Sequence, residues 1–161
     1  MKALSLIQPW ASFLFPFAGR PAMKLHETRS WATRHRGAIA IHASTAFRRT
    51  QQWIYSDLLT GIERQLSDAD KRSFVANTPE AKDIPRGCII GIVELVDCQP
   101  AESVKPDTID AIFGNFTPGR YAWRMAKPVL FRKPIPCKGA LGLWEVPDEI
   151  KFSIEMEYLK T

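Results

Sequence analysis

Apolar and polar residues change period repeatedly along this chain, and the changes mark its elements. "KALSLI" (2–7) predicts a first strand. "PWASFLF" (9–15) predicts a short helix, led in by Ser5 or Gln8 and ended by Pro16 and the turn "AGRPA". Lys24–Trp31 and "RGAIAIHAS" (36–44) predict the next two strands, with Gly37 at the bend between them. From Thr45 the period lengthens. Phe47, Trp53, Ile54, Leu58, Leu59 and Ile62 share a helical face, with Ser44 or Thr45 as its cap. A further helix is expected over 67–76 and a loop over "NTPEAKDIPRG" (77–87). "CIIGIVELVDC" (88–98) is the strongest strand signal, an apolar run with Glu94 embedded in it. "PDTIDAIF" (106–113) predicts a short helix with proline at its start. "GRYAWRMA" and "PVLFR" predict one bent strand or two short ones, "GALGLWEV" a last strand, and a closing helix begins near Pro147.

Six or seven short strands broken by helices point to an α+β fold: a small mixed β-barrel with helical insertions, in one domain over 1–161. The strands do not alternate regularly with long helices, which argues against a doubly wound parallel sheet.

The second strand poses a question. Alternation places Leu25, Glu27, Arg29 and Trp31 on one face and Lys24, His26, Thr28 and Ser30 on the other. A carboxylate and a guanidinium then lie between two large apolar residues, on the face a sheet normally turns inward.

Charge sharpens the question. Between Arg20 and Arg49 there are seven basic residues (Arg20, Lys24, Arg29, Arg34, Arg36, Arg48, Arg49) against Glu27 alone, a surplus of +6, while the remainder carries −1. Such a patch is an electrostatic footprint for phosphate, most often that of nucleic acid; a solvated basic face is the plainer alternative. Arg34, Arg36, Arg48 and Arg49 are the candidate phosphate contacts. The three cysteines, odd in number and widely spaced, read as core residues of a reduced, cytoplasmic protein. Lys2 and the apolar residues after it faintly imitate a signal peptide, but Gln8, Pro9 and Pro16 interrupt the run. No stretch approaches the roughly 18 apolar residues of a bilayer span, so no membrane partner is expected.

Most familiar chemistries lack their spacing. The histidines and cysteines form no zinc motif, the glycine stretches lack the strand–loop–helix context of a nucleotide fold, and no G-x-S-x-G is present. No metal and no cofactor are expected. "GALG" marks a bulge or a close backbone approach. What remains is "IQPWAS", "KLHETRSW" and "FGNFTPGRYAW".

These stretches carry a resemblance. Gln8-Pro9-Trp10, the set Lys24, Glu27 and Arg29, Trp31, Arg36-Gly37 and Ile41-His42-Ala43-Ser44 match in order. "GIVELVDC", "GRYAW" and "PIPCKGALGLWEV" follow. Together they resemble the ASCH domain (activating signal cointegrator homology), a branch of the PUA-like β-barrel superfamily. The resemblance implies a PUA-like barrel, an RNA-related role, and a cleft lined by Lys24, Glu27 and Arg29. Some short bacterial members of the family are amidohydrolases that remove the acyl group of N4-acylcytidine, with a K-x-x-T-x-R motif whose lysine and threonine are catalytic. Lys24 and Arg29 match that motif; Glu27 stands where the threonine would be, and Thr28 should face the other way. Threonine chemistry therefore does not carry over. Instead, Glu27 can serve as general base and Lys24 as oxyanion stabiliser, with Arg29 holding Glu27 or a substrate oxygen.

Trp10, Trp31, Tyr121 and Trp123 offer stacking faces for a base, two of them forming a wall, although each alone is more readily core. His42 and Ser44 are further candidate contacts, with a satisfied core histidine and a helix cap as their plainer roles. Glu94, if buried, needs a partner such as Arg29, Arg36 or Arg124. The leading reading is hydrolysis of an N4-acylcytidine-type nucleoside by Lys24 and Glu27. The alternatives are a non-catalytic module for RNA or a modified base, and a ribonuclease. The partner is a nucleoside or RNA; the sequence leaves the oligomeric state open.

Overall fold

The computed structural model describes residues 1–161. Its six strands are β1 (Lys2–Leu6), β2 (His26–Arg29), β3 (Gly37–Ala43), β4 (Cys88–Pro100), β5 (Tyr121–Pro136) and β6 (Leu143–Glu145). Five helices accompany them: α1 (Trp10–Phe13), α2 (Arg49–Glu63), α3 (Asp68–Asn77), α4 (Asp110–Phe113) and α5 (Asp148–Tyr158). The strands form one mixed sheet in the order β2-β5-β4-β3-β1-β6. Only β1 and β3 run parallel; every other pairing is antiparallel. The sheet curls into a half-barrel, the α+β architecture of a PUA-like barrel. No helix is long and apolar enough to cross a membrane.

Alternation along the strands divides the apolar side chains between two cores. Leu4, Leu6, Ile39, Ile41, Val93, Leu95 and Trp123 fill the inner face, closed by Leu14 and Phe15 from the segment after α1. Ala3, Ala40, Ile92 and Phe131 lie on the outer face, against Ile154 of α5. A third cluster, with Phe13, Tyr55, Ile62 and Phe74, unites the helices. On β4 the inner-face residues run Ile90 then Val93, a step of three, and the β4–β5 register shifts beside them. Each extra residue is a bulge that bends a strand and increases its twist, which is how two long strands curl the sheet. Gly91 marks the tightest point: a Cβ there would collide with the Val129 carbonyl and the Phe15 ring.

Several expected boundaries move, for identifiable reasons. The strand expected over Lys24–Trp31 is only four residues long. Its first amides are already committed: Lys24 N donates to Phe13 O (3.0 Å) and Leu25 N to Asp110 Oδ1 (2.6 Å). Neither Ser44 nor Thr45 caps α2. Ser44 N extends the β1–β3 ladder by donating to Leu6 O, and the helix begins after Arg48, whose amide donates to Gln51 Oε1. The residues expected as one bent strand or two short ones form a single bent strand, Tyr121–Pro136, with Lys127 at φ +46°. Of "GALGLWEV" only three residues pair. Gly139 before them is a close backbone approach, because a Cβ there would meet the His42 ring and Ser5 Oγ.

Candidate nucleic-acid interface

The short β2 strand places the chemistry. Its register with β5 sets Glu27 beside Trp123 and Arg29 beside Tyr121, so both charged side chains leave on the inner face. Lys24 precedes the strand and escapes its alternation. The expectation that it lies on the opposite face is therefore corrected, and so is the alternative of a solvated lysine. Its side chain is 0% exposed, its ammonium donates to His26 O, and it pairs with Glu27 Oε2 at 2.8 Å. The other Glu27 oxygen faces Arg29 Nε at 3.0 Å. Arg29 Nη2 then donates to Ser5 O (3.2 Å) on β1. In sheet order, β2 and β1 are separated by β5, β4 and β3. The guanidinium can reach that carbonyl only because the sheet curls. Lys24, Glu27, Arg29 and Ser5 thus form one chain of charge and hydrogen bonding across the mouth of the half-barrel.

Access to this chain is graded. Glu27 is 11% exposed and Arg29 28%, so the Arg29 side chain is the part a ligand meets first. Trp31 lies just beyond, exposed, with its ring edge-on to Trp123 at 4.5 Å and its carbonyl accepting from Trp123 Nε1 (3.2 Å). Trp123 is itself wholly buried and offers no face to a base, so its expected stacking role is corrected. Tyr121 is half-buried against the inner core, and Trp10 is half-buried against the helical cluster.

The remaining candidates scatter. His42 is buried on β3 with Nε2 bonded to Cys137 O (2.9 Å); burial pushes its pKa down, against the opposing pull of that bond. It is held as a neutral core histidine. Ser44 is half-buried and its hydroxyl has no partner. Glu94 pairs with Lys127 (2.6 Å) rather than with an arginine. Alternation puts it on the face of Ile92, away from Val93 and the inner core. It does not join the Lys24–Glu27 site. Arg34, Arg48 and Arg49 are exposed and make no ion pair, while Arg36 is tied to Asp97 (3.3 Å). Thr28 does face away from Glu27: its hydroxyl accepts from Asn115 N (2.9 Å) and its carbonyl from Arg120 Nη2 (3.1 Å). It anchors a loop. No group of His, Cys, Asp and Glu side chains is placed to hold a metal ion.

One cluster was not anticipated. Asp110, in α4, is buried and accepts from Leu25 N, from His26 N (3.1 Å) and from His26 Nδ1 (2.6 Å). Burial opposes its ionisation, but these bonds outweigh burial and hold the carboxyl below the usual aspartate range. Asp110 thereby fixes the entrance of β2. The available signal was a carboxylate embedded among Ile109, Ala111, Ile112 and Phe113; nothing in the sequence links it to residues 85 positions earlier.

Comparison with known proteins places this fold. The chain is 30% identical over 147 residues to human Activating signal cointegrator 1, and 29% identical over 147 residues to its mouse counterpart. Both alignments cover 91% of this chain and 22% of the relative, so the chain spans about a fifth of the length of the curated proteins it matches. No family model matches. The chain belongs to the ASCH-domain family, the family that takes its name from that cointegrator.

Proposed function

We propose that this domain binds single-stranded RNA, taking a base at the mouth of the half-barrel between Arg29 and Trp31. The observation that supports it most is the state of the basic segment: Arg34, Arg48 and Arg49 stand exposed with no carboxylate paired to them. Uncancelled guanidinium groups suit a polyanion, whereas a free nucleoside has no need of them. Glu27 holds the Arg29 fork in one orientation, and Trp31 presents a ring beside it for stacking. RNA affinity should fall with salt by about 0.7 log unit per log of salt for each phosphate contact on a single strand. Replacing Arg48 and Arg49 together by alanine should weaken binding evenly across sequences and flatten that slope. Fluorescence anisotropy with labelled oligonucleotides at several salt concentrations measures both; salt-independent affinity would return the segment to solvated surface.

A second reading, hydrolysis of the acyl amide of N4-acylcytidine, draws support from the 2.8 Å contact between Lys24 and Glu27. Water activated by Glu27 would add to the carbonyl and the C–N bond would break, giving a carboxylic acid and cytidine. The burial of Lys24 weighs against it, since an ammonium without solvent access reaches a substrate oxygen only after the mouth opens. On this reading wild type converts N4-acetylcytidine to cytidine, and Lys24→Met lowers kcat by roughly 10²-fold or more per folded molecule. Chromatographic detection of cytidine decides it, and absence of wild-type turnover ends the hydrolase reading.

A further inference from the structure

On the face of β2 opposite Glu27 the structure forms a second polar cavity. His26 and Arg124 are register partners across β2 and β5, so their side chains leave the sheet side by side. With Lys105, Asp97 and the small side chain of Ala122 they line an open cavity of about 330 Å³.

Three features define what fits there. Arg124 is half-buried and Lys105 exposed, yet neither has a hydrogen-bond or ion-pair partner within the protein. A guanidinium standing free on a sheet beside an imidazole is an arrangement an anion would stabilise. Next, the His26 ring is held in one orientation. Its Nδ1 is committed to the buried carboxylate of Asp110 (2.6 Å), and its ring stands edge-on to Phe116 at 5.9 Å. Nε2 is left as the free nitrogen. Finally, Asp97, the carboxylate on the cavity wall, is already satisfied. It accepts from Cys98 N (2.8 Å), Gln99 Nε2 (2.6 Å) and Arg36 Nη2 (3.3 Å), and makes no pair with Arg124. The Cys98 amide foremost, with Gln99 and Arg36, keeps it ionised. Although Asp97 lies opposite Arg124 across β4 and β5, its oxygens bond elsewhere, and neither Arg124 nor Lys105 has a carboxylate paired to it.

We infer that this cavity is a phosphate-binding site, in which the Arg124 guanidinium and the Lys105 ammonium donate to phosphoryl oxygens beside the His26 ring. The phosphate belongs either to a nucleic-acid backbone or to a free phosphate ester. The site lies across the sheet from Arg29 and Trp31 and stands whether or not a base binds there.

The test follows the His26 ring resonances by NMR in the intact protein. Three probes are titrated separately: inorganic phosphate, a nucleoside 5′-monophosphate and a short single-stranded oligonucleotide. Saturable movement of the His26 signals is expected. Arg124→Gln should weaken the response about tenfold or more, and Lys105→Gln by a smaller factor. Neither variant removes a hydrogen bond or ion pair within the protein, so both should fold. An oligonucleotide that binds more tightly than the mononucleotide assigns the backbone as ligand; the reverse order assigns a free ester. No saturable movement with any probe, or wild-type affinity in Arg124→Gln, would overturn the site. RNA binding lost only in Arg29 and Trp31 variants, with phosphate binding intact, separates the two sites.

Discussion

Glu27→Gln should lower the melting temperature by roughly 10 °C, equivalent to about 3 kcal/mol or more in a domain of this size. Lys24 is sealed beneath Glu27, and the carboxylate also faces Arg29. Glutamine conserves the shape but leaves a buried ammonium with only neutral acceptors. Breaking a buried ion pair from one side is costly because the remaining charge keeps its desolvation penalty. Lys24→Met should cost less, because Glu27 keeps Arg29 as a partner. The double variant should recover part of the loss, since with both charges gone neither has to be desolvated. Thermal melts of wild type, both single variants and the double variant yield the coupling free energy directly. A Glu27→Gln protein that melts with wild type would show that the pair contributes nothing to stability.

Asp110→Ala should be comparably damaging, about 3 kcal/mol or more, for a different reason. It strands two backbone amides and the imidazole Nδ1 of His26 at the entrance of β2. The same carboxylate predicts an acid response. Its folded-state pKa is depressed, so the unfolded chain binds the proton more readily. The stability it contributes is therefore complete above the ordinary aspartate range and is lost as pH falls through the lower native value. Asp110→Asn should start less stable and lose less of its stability over that acid interval. Denaturant melts of both proteins at neutral and acid pH test this; parallel pH profiles would remove Asp110 as the source.

Much of the scaffold was legible in the chain. The apolar runs of β1, β3 and β4, the lengthened period of α2 and the closing helix at Pro147 all lie near where the pattern puts them. Gly139 was legible as a close approach because glycine in that setting has few other uses. The Lys24, Glu27 and Arg29 set was legible as a group through its family resemblance. What the pattern misjudged were ends and partners. It took the strand through Lys24 because amides claimed by Phe13 and Asp110 look no different in sequence from amides free to pair. It offered Glu94 an arginine, and the fold supplies Lys127.

The division has a physical cause. Periodicity and composition are local, so the chain itself determined the α+β class, most of the elements and the concentration of positive charge between Arg20 and Arg49. Ion pairing and burial are set over a few ångströms of space and are blind to sequence separation. Only the curl of the sheet could bring Arg29 to Ser5, seal Lys24 under Glu27, and hide Trp123 while leaving Trp31 exposed. Only the packing of α4 against β2 could set Asp110 behind His26, and only the pairing of β2 with β5 could set His26 beside Arg124.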